Sequence, residues 1–140
     1  MNMHKETFSV GVLASHAGCN IETVRYYENE KLMPAPPRTE GGHRQYSEDH
    51  LKRLYFIRRC RELGFPIDQV REMLKIIDEP NHTCGEVKGL TMLQMRQVQE
   101  KIDDLTRLMK ALSDIFSQCD GGGYTIDNCP IIQALYRDTG

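Results

Sequence analysis

Three cysteines carry the clearest chemistry in this chain. Cys84 stands just before a long proline-free stretch, Cys119 just after it, and Cys129 a short loop further on. Thiolates are soft ligands that select soft metals, and all those sharing one ion must lie within about 2.3 Å of a zinc-sized centre. The stretch between them, Gly85 to Ser117, reads as one helix. Apolar residues recur at Val98, Ile102, Leu105, Met109, Leu112 and Phe116, stepping 4, 3, 4, 3, 4. That is a heptad seam, which needs a partner helix. Cys84 and Cys119 are 35 positions apart, so a straight helix rising about 1.5 Å per residue separates them by roughly 50 Å. If that helix is continuous, they cannot share an ion within one chain. In an antiparallel pair, the start of one helix lies beside the end of the other. Cys84 of one chain then meets Cys119 and Cys129 of its partner, twice per dimer. The same spacing also fits an ordinary core helix flanked by incidental cysteines.

The elements that must position such a site begin at the N-terminus. Val12, Leu13, Ala14 and Ala17 follow at helical spacing after Phe8-Ser9-Val10, and Gly18 suits a helix C-cap. Asn20 suits the N-cap of a second helix, Ile21 to about Lys31. Two short helices joined by a tight glycine-containing turn predict a helix-turn-helix whose second member is the recognition helix. Thr23, Arg25, Tyr26 and Tyr27 suit a DNA surface, Arg for phosphate or guanine and Tyr hydroxyls for phosphate. One of those tyrosines packing in the core, with Arg25 simply solvated, fits equally well. Pro34, Pro36 and Pro37 make the next segment an extended turn. Gly41-Gly42 between short extended runs predicts a small β-hairpin wing. Arg38, Arg44 and Tyr46 would bring charge and a hydroxyl to the DNA backbone; alternatively Arg44 is a surface charge and Tyr46 packs the hairpin onto the helices.

Ser47 caps a third helix with an apolar face at Leu51, Leu54, Tyr55, Ile57 and Leu63. Lys52, Arg53, Arg58, Arg59 and Arg61 make it the most basic stretch, a solvated face or a phosphate contact. Cys60 within it and Cys19 in the first turn read as small buried hydrophobes. Ile67, Val70, Met73, Leu74 and Ile77 mark a fourth helix. After Cys119 come Gly121, Gly122 and Gly123, then Pro130 at the first turn of a short last helix, Ile131 to Tyr136.

The composition, 39% hydrophobic and 27% charged, is globular, and the net charge of −2 decides nothing about nucleic acid. Its distribution says more. Residues 1–76 carry 12 Lys+Arg against 10 Asp+Glu, hence +2, and residues 77–140 carry 6 against 10, hence −4. The basic half is the expected DNA-binding end. Met1 to Glu6 is polar with no apolar run after it, unlike a signal peptide. No apolar run approaches the roughly 20 residues of a membrane span, so a cytoplasmic protein with no membrane partner is expected. Its five cysteines are then thiols or metal ligands rather than a disulfide framework.

Glu22-Thr23-Val24-Arg25-Tyr26-Tyr27-Glu28 resembles the recognition-helix signature of the MerR family of bacterial transcription regulators. Arg38-Thr39-Glu40-Gly41-Gly42-His43-Arg44-Gln45-Tyr46 resembles its wing, and Phe56-Ile57-Arg58-Arg59 with Leu63-Gly64-Phe65 its second helix pair. The resemblance covers nearly the whole chain. It implies a mainly α fold: a winged helix-turn-helix over residues 1–78, a hinge and antiparallel coiled-coil dimer helix over 79–117, and a metal-binding loop with a short helix over 118–140. It implies DNA contacts at Arg25, Tyr26, Arg44 and Tyr46, with Arg58 a further candidate. It also implies an operator with an overlong spacer, where metal binding realigns the promoter for RNA polymerase through the DNA.

His82-Thr83-Cys84, Cys119 and Cys129-Pro130-Ile131-Ile132 resemble the mercury and zinc regulators, and copper(I) sensors usually carry serine where Cys84 stands. Zinc members typically add a second cysteine beside the position of Cys119 and a histidine in the loop. Asp120 and glycine or tyrosine occupy those places here. Three thiolates without that pair look like a trigonal mercury site, so mercury(II) ranks first, with zinc, cadmium and lead as alternatives. Zinc would draw a further ligand from Asp120, Asp127 or His82. A thiol-redox sensor on the same frame is the competing function. The redox branch's four closely spaced C-terminal cysteines do not occur, and the scattered His4, His16, His43, His50 and His82 form no HExxH or comparable enzyme constellation.

Overall fold

A computed structural model describes residues 7–137; Met1–Glu6, including His4, lie outside the described residues, as do residues 138–140. The elements are β1 (Thr7–Phe8), α1 (Val10–Ala17), α2 (Ile21–Asn29), β2 (Tyr46–Ser47), α3 (Glu48–Glu62), α4 (Ile67–Asp78), α5 (Cys84–Phe116), a 3-10 turn (Ile126–Asn128) and α6 (Pro130–Tyr136). No described helix is long and apolar enough to cross a membrane. The chain resolves into two compact units, Met1–Thr91 and Met92–Gly140.

In the first unit, side-chain caps set the helix starts. Ser9 Oγ accepts the Val12 N–H at 3.2 Å, and Asn20 Oδ1 accepts the Thr23 N–H and hydroxyl, both at 2.8 Å. These bonds satisfy donors that the first turn leaves without an intrahelical partner. α2 ends at Asn29, short of the expected Lys31, because Lys31 turns to φ 62°. The wing forms where the Gly-Gly pair predicts it. Arg38 and Arg44 make an antiparallel bridge, and the Thr39 N–H donates to the His43 carbonyl at 2.7 Å. Gly42 holds φ 83°, a conformation that a Cβ disfavours. The sequence did not foretell β1, which pairs antiparallel with β2 through Thr7↔Ser47 and Phe8↔Tyr46. Two residues are too few to show an alternating pattern.

The core of this unit gathers Leu13, Ala14, Val24, Leu32, Met33, Leu54, Ile57, Phe65, Val70, Met73 and Leu74 from α1 to α4 and the turns between them, with Leu90 of α5 packed against it. Cys60 is buried as expected, its thiol pushed up by burial, while Cys19 is only half-buried. Four side chains tie the helices together. The Tyr55 hydroxyl donates to the His16 carbonyl and Arg58 Nη1 to the Gly18 carbonyl, both at 2.6 Å. Together they dock α3 on the end of α1. Arg53 donates to the Leu32 carbonyl at 2.6 Å and pairs bidentately with Asp78 at 2.7 and 3.0 Å. Arg71 holds the Glu30 carbonyl and carboxylate, both at 3.1 Å.

His50 closes the start of α3. Its Nδ1 accepts the Ser47 N–H at 3.1 Å, while its own N–H reaches Ser47 Oγ at 3.5 Å. An accepting Nδ1 means a neutral ring. Burial pushes the His50 pKa below its ordinary value, against the pull of the Asp49 and Glu28 carboxylates. The unfolded chain therefore takes up this proton near pH 6.5, and the folded chain only at lower pH. Stability from this group is complete above that value and declines as pH falls through it. His50→Gln should flatten that acid-side decline, read as the difference in urea midpoint between pH 7.5 and 5.5 for variant against wild type.

The second unit is the remainder of α5 followed by the loop, the 3-10 turn and α6. Along α5 the whole heptad seam is solvent-exposed, from Val98 at 39% to Phe116 at 75%. After α5 the chain turns at Gly121, with φ 80°. Pro130 opens α6 at the position where a missing N–H costs nothing. Gln133 Nε2 ties α6 to the Asp127 carbonyl at 3.0 Å.

Candidate DNA-reading surface and thiol site

On α2, Arg25 and Tyr26 are exposed and Thr23 half-buried. Thr23 gives its hydroxyl proton to Asn20 and so doubles as part of the helix cap. Arg38 is exposed on the wing, its Nη1 donating to the Gly42 carbonyl at 2.9 Å. Arg25, Tyr26 and Arg38 are thus open to solvent, and Thr23 is partly covered.

Two tyrosines do not. Tyr27 is only 7% exposed and Tyr46 not at all, so the expected DNA-facing role is corrected for both. Tyr27 lies on the face of α2 that carries Val24, turned into the core. Tyr46 sits in β2 with its ring edge-on to His50 at 5.4 Å, and its hydroxyl donates to the Glu28 carboxylate. Arg58 also spends a donor inward, on the Gly18 carbonyl.

Arg44 is paired rather than free. Its Nη1 meets the Glu28 carboxylate and lies 3.4 Å from the Tyr46 hydroxyl. Tyr46 and Glu28 raise the Arg44 pKa, and burial, followed by the Glu28 bond, raises that of Tyr46. Glu28 is the residue that the sequence reading missed. It stands 16 and 18 positions from its two partners, beyond any helical or strand period.

The thiols divide between the units. In the first, Cys84 is exposed as the opening residue of α5. The Glu86 carboxylate accepts the Thr83 N–H at 2.8 Å and so starts the helix one residue earlier than expected. His82 lies between two acids, Nδ1 at 3.0 Å from Glu86 and Nε2 at 3.2 Å from Glu79. Its bonds to Glu86, then to Glu79, hold its pKa above the ordinary value. The Thr83 N–H, then His82, hold that of Glu86 below. Both ring nitrogens thus have carboxylate partners that a metal would have to displace.

In the second unit, Cys119 and Cys129 are half-buried. The Gly121 N–H donates to Cys119 Sγ at 3.4 Å, and Asp120 Oδ1 accepts the Gly122 N–H at 2.9 Å. The loop thereby fixes a sulfur and a carboxylate side by side. Cys129 caps α6, its carbonyl accepting the Gln133 N–H at 3.1 Å. All five cysteines are free thiols, and soft thiolates in such a set suit a thiophilic ion. Among the described residues, no three His, Cys, Asp or Glu side chains of the single chain gather as a metal site.

The helix-turn-helix with its wing and the long helix also occur in known proteins. The model of the MerR HTH family regulatory proteins matches residues 8–76, and that of the MerR DNA-binding region matches residues 51–115. The mercuric resistance operon regulatory protein of Bacillus cereus is 39% identical over 130 residues, 93% of this chain and 98% of that one. The HTH-type transcriptional regulator ZntR of Escherichia coli is also 39% identical, over 91% of this chain and 92% of its own. Among solved structures, the transcription regulator PbrR691 of Ralstonia metallidurans, crystallised in complex with lead(II), superposes with a TM-score of 0.81 at 41% identity, covering 91% of this chain and 98% of that one. The fold, the two matching family models and relatives aligned over nine-tenths of the chain agree: the chain belongs to the MerR family of helix-turn-helix regulatory proteins, in the branch of its metal-sensing members.

Proposed function

We propose that this protein is a homodimeric transcription regulator that responds to a thiophilic divalent ion, mercury(II) first, and controls genes for resistance to it. The exposed heptad seam with free thiols at its two ends carries the reading. An apolar stripe of that length is uncommon on a free surface and marks an interface. An unbroken helix over Cys84–Phe116 is the premise of a shared site. Cys84 of one chain would supply one thiolate, and Cys119 and Cys129 of the partner the other two. The bound ion would supply a crosslink between chains.

The division into head (1–78), hinge and dimer helix (79–117) and metal loop (118–140) follows from those roles. Arg25 and Tyr26 would read or grip DNA from the recognition helix. Arg38 and Arg44 would meet the backbone from the wing, with Thr23 beside the helix cap. Metal binding would favour the dimer conformation that bends and untwists promoter DNA, so that RNA polymerase is reached through the DNA itself. Free thiols suit a reducing cytoplasm.

Mercury ranks above zinc, cadmium and lead because the donors are three sulfurs and the nearest harder ligands are already engaged. His82 is held by Glu79 and Glu86, and Asp120 by Gly122. The names of the relatives span mercury, and a lead complex among the solved structures keeps lead in the contest. Titration of each ion against a thiol competitor, followed by thiolate-to-metal absorption, should place mercury tightest, at one ion per three-sulfur site and two per dimer. Zinc or lead outcompeting mercury would overturn the ranking. Oxidant triggering transcription in the presence of a chelator would replace the metal reading with the redox one.

A further inference from the structure

We propose that Glu28 is a positioning residue that clamps the wing to the recognition helix and thereby sets the protein's preference for its own operator over other DNA. The inference rests on the DNA-binding role of the family and not on the metal site. Glu28 lies near the end of α2, one turn beyond Arg25, and its side chain is only 11% exposed. Its carboxylate binds Arg44 of the wing and the hydroxyl of Tyr46, the buried residue that follows the wing. One acid therefore joins the two parts of the molecule that touch DNA. Arg44, 33% exposed, keeps its remaining guanidinium donors available beyond this pair.

Two consequences follow from charge and geometry. A wing tied to α2 offers its backbone contact only in the register that the recognition helix finds in the groove. Phosphate contacts position a protein and base contacts specify its site, so a rigid link makes the first depend on the second. Glu28 also cancels the charge of Arg44. Backbone attraction that ignores sequence scales with the cations presented to phosphate, and a paired arginine adds little to it. Glu28 thus suppresses binding to the wrong DNA as well as aligning the right one.

Glu28→Gln keeps the length and an acceptor for Tyr46 but releases Arg44 as an unpaired cation. The metal-free, full-length protein would be tested on a duplex selected from a randomised library by the wild type, and on an unrelated duplex, across a salt series. The expected result is tighter binding to the unrelated duplex. Its salt slope should steepen by about one per protomer, and the selected-to-unrelated affinity ratio should fall about tenfold. Glu28→Gln with Arg44→Gln should restore the wild-type slope while the ratio stays low. Tyr46→Phe should lower the ratio with no change in slope, and it tests the clamp even if the Gln variant folds poorly. An unchanged slope in Glu28→Gln, with both affinities falling in proportion to a lowered Tm, would reduce Glu28 to a fold-supporting acid and overturn the proposal. So would an unchanged affinity ratio in all three variants.

Discussion

Serine at Cys84, at Cys119 or at Cys129 is expected to abolish metal-dependent transcription, while the metal-free variants bind DNA within about twofold of wild type. Removing groups that only support a metal ligand already costs about 10- to 100-fold in affinity. Loss of one of three ligands should therefore cost at least about a hundredfold. DNA binding should survive because Cys84 is exposed and the other two belong to the second unit, whereas the core residues Leu13, Val24, Leu54 and Val70 belong to the first. The decisive measurement mixes two defective chains. A heterodimer of Cys84→Ser with Cys119→Ser holds one site that lacks two of its three sulfurs and one site fully intact. In that second site, Cys84 of the Cys119→Ser chain meets Cys119 and Cys129 of the other. Shared sites predict that mixing restores one ion per dimer and part of the induction. Sites built within a single chain predict no restoration at all.

The parts of this molecule that repeat were legible, and those that depend on a single distant partner were not. Asn20 and Ser47 announced helix starts because a cap is a local device, complete within three residues. The Gly41-Gly42 pair announced the wing for the same reason. The 4-3 spacing announced α5, although its first residue depended on Glu86 reaching back to the Thr83 N–H, which apolar periodicity does not register. Tyr27 and Tyr46 were misplaced because tyrosine suits either environment: its ring can be buried while its hydroxyl finds an acceptor. For Tyr46 that acceptor is Glu28, 18 positions earlier, and no spacing rule spans such a gap.

The candidate thiol site shows the same division. Residue type and position singled out Cys84, Cys119 and Cys129 as the sulfurs worth testing. Their surroundings came only from folded geometry. His82 looked like a spare ligand in sequence, yet Glu79 and Glu86 flank its two nitrogens from the turn before it and the first turn of α5 after it. Asp120 looked equally spare, yet it ties down the Gly122 N–H beside Cys119. A sequence displays candidate ligands but not the hydrogen bonds that compete for them.

Leu105→Glu should convert the dimer to monomers at micromolar concentration. Leu105 lies near the middle of the seam and is 64% exposed in the single chain. In a two-fold pair each substitution acts twice. Full burial of a leucine contributes about 1.5–3 kcal/mol, so two lost contacts weaken the pair by roughly 3–6 kcal/mol, or about 10²- to 10⁴-fold in dissociation constant. Burial of two carboxylates would add to that loss. Glu100→Gln, on the opposite face of α5, is the matched control and should leave the dimer intact. Sedimentation of both variants gives the mass directly, and circular dichroism separates dissociation from unfolding. The head should remain folded in the monomer, because the core of the first unit is assembled from its own helices. Its DNA affinity should nevertheless collapse, since one head grips half an operator. Metal binding should fall with it, because a lone chain would offer Cys84 without the partner's Cys119 and Cys129. A Leu105→Glu protein that sediments as the wild-type dimer would show that the seam is not the interface, and the shared thiol site would lose its geometric basis.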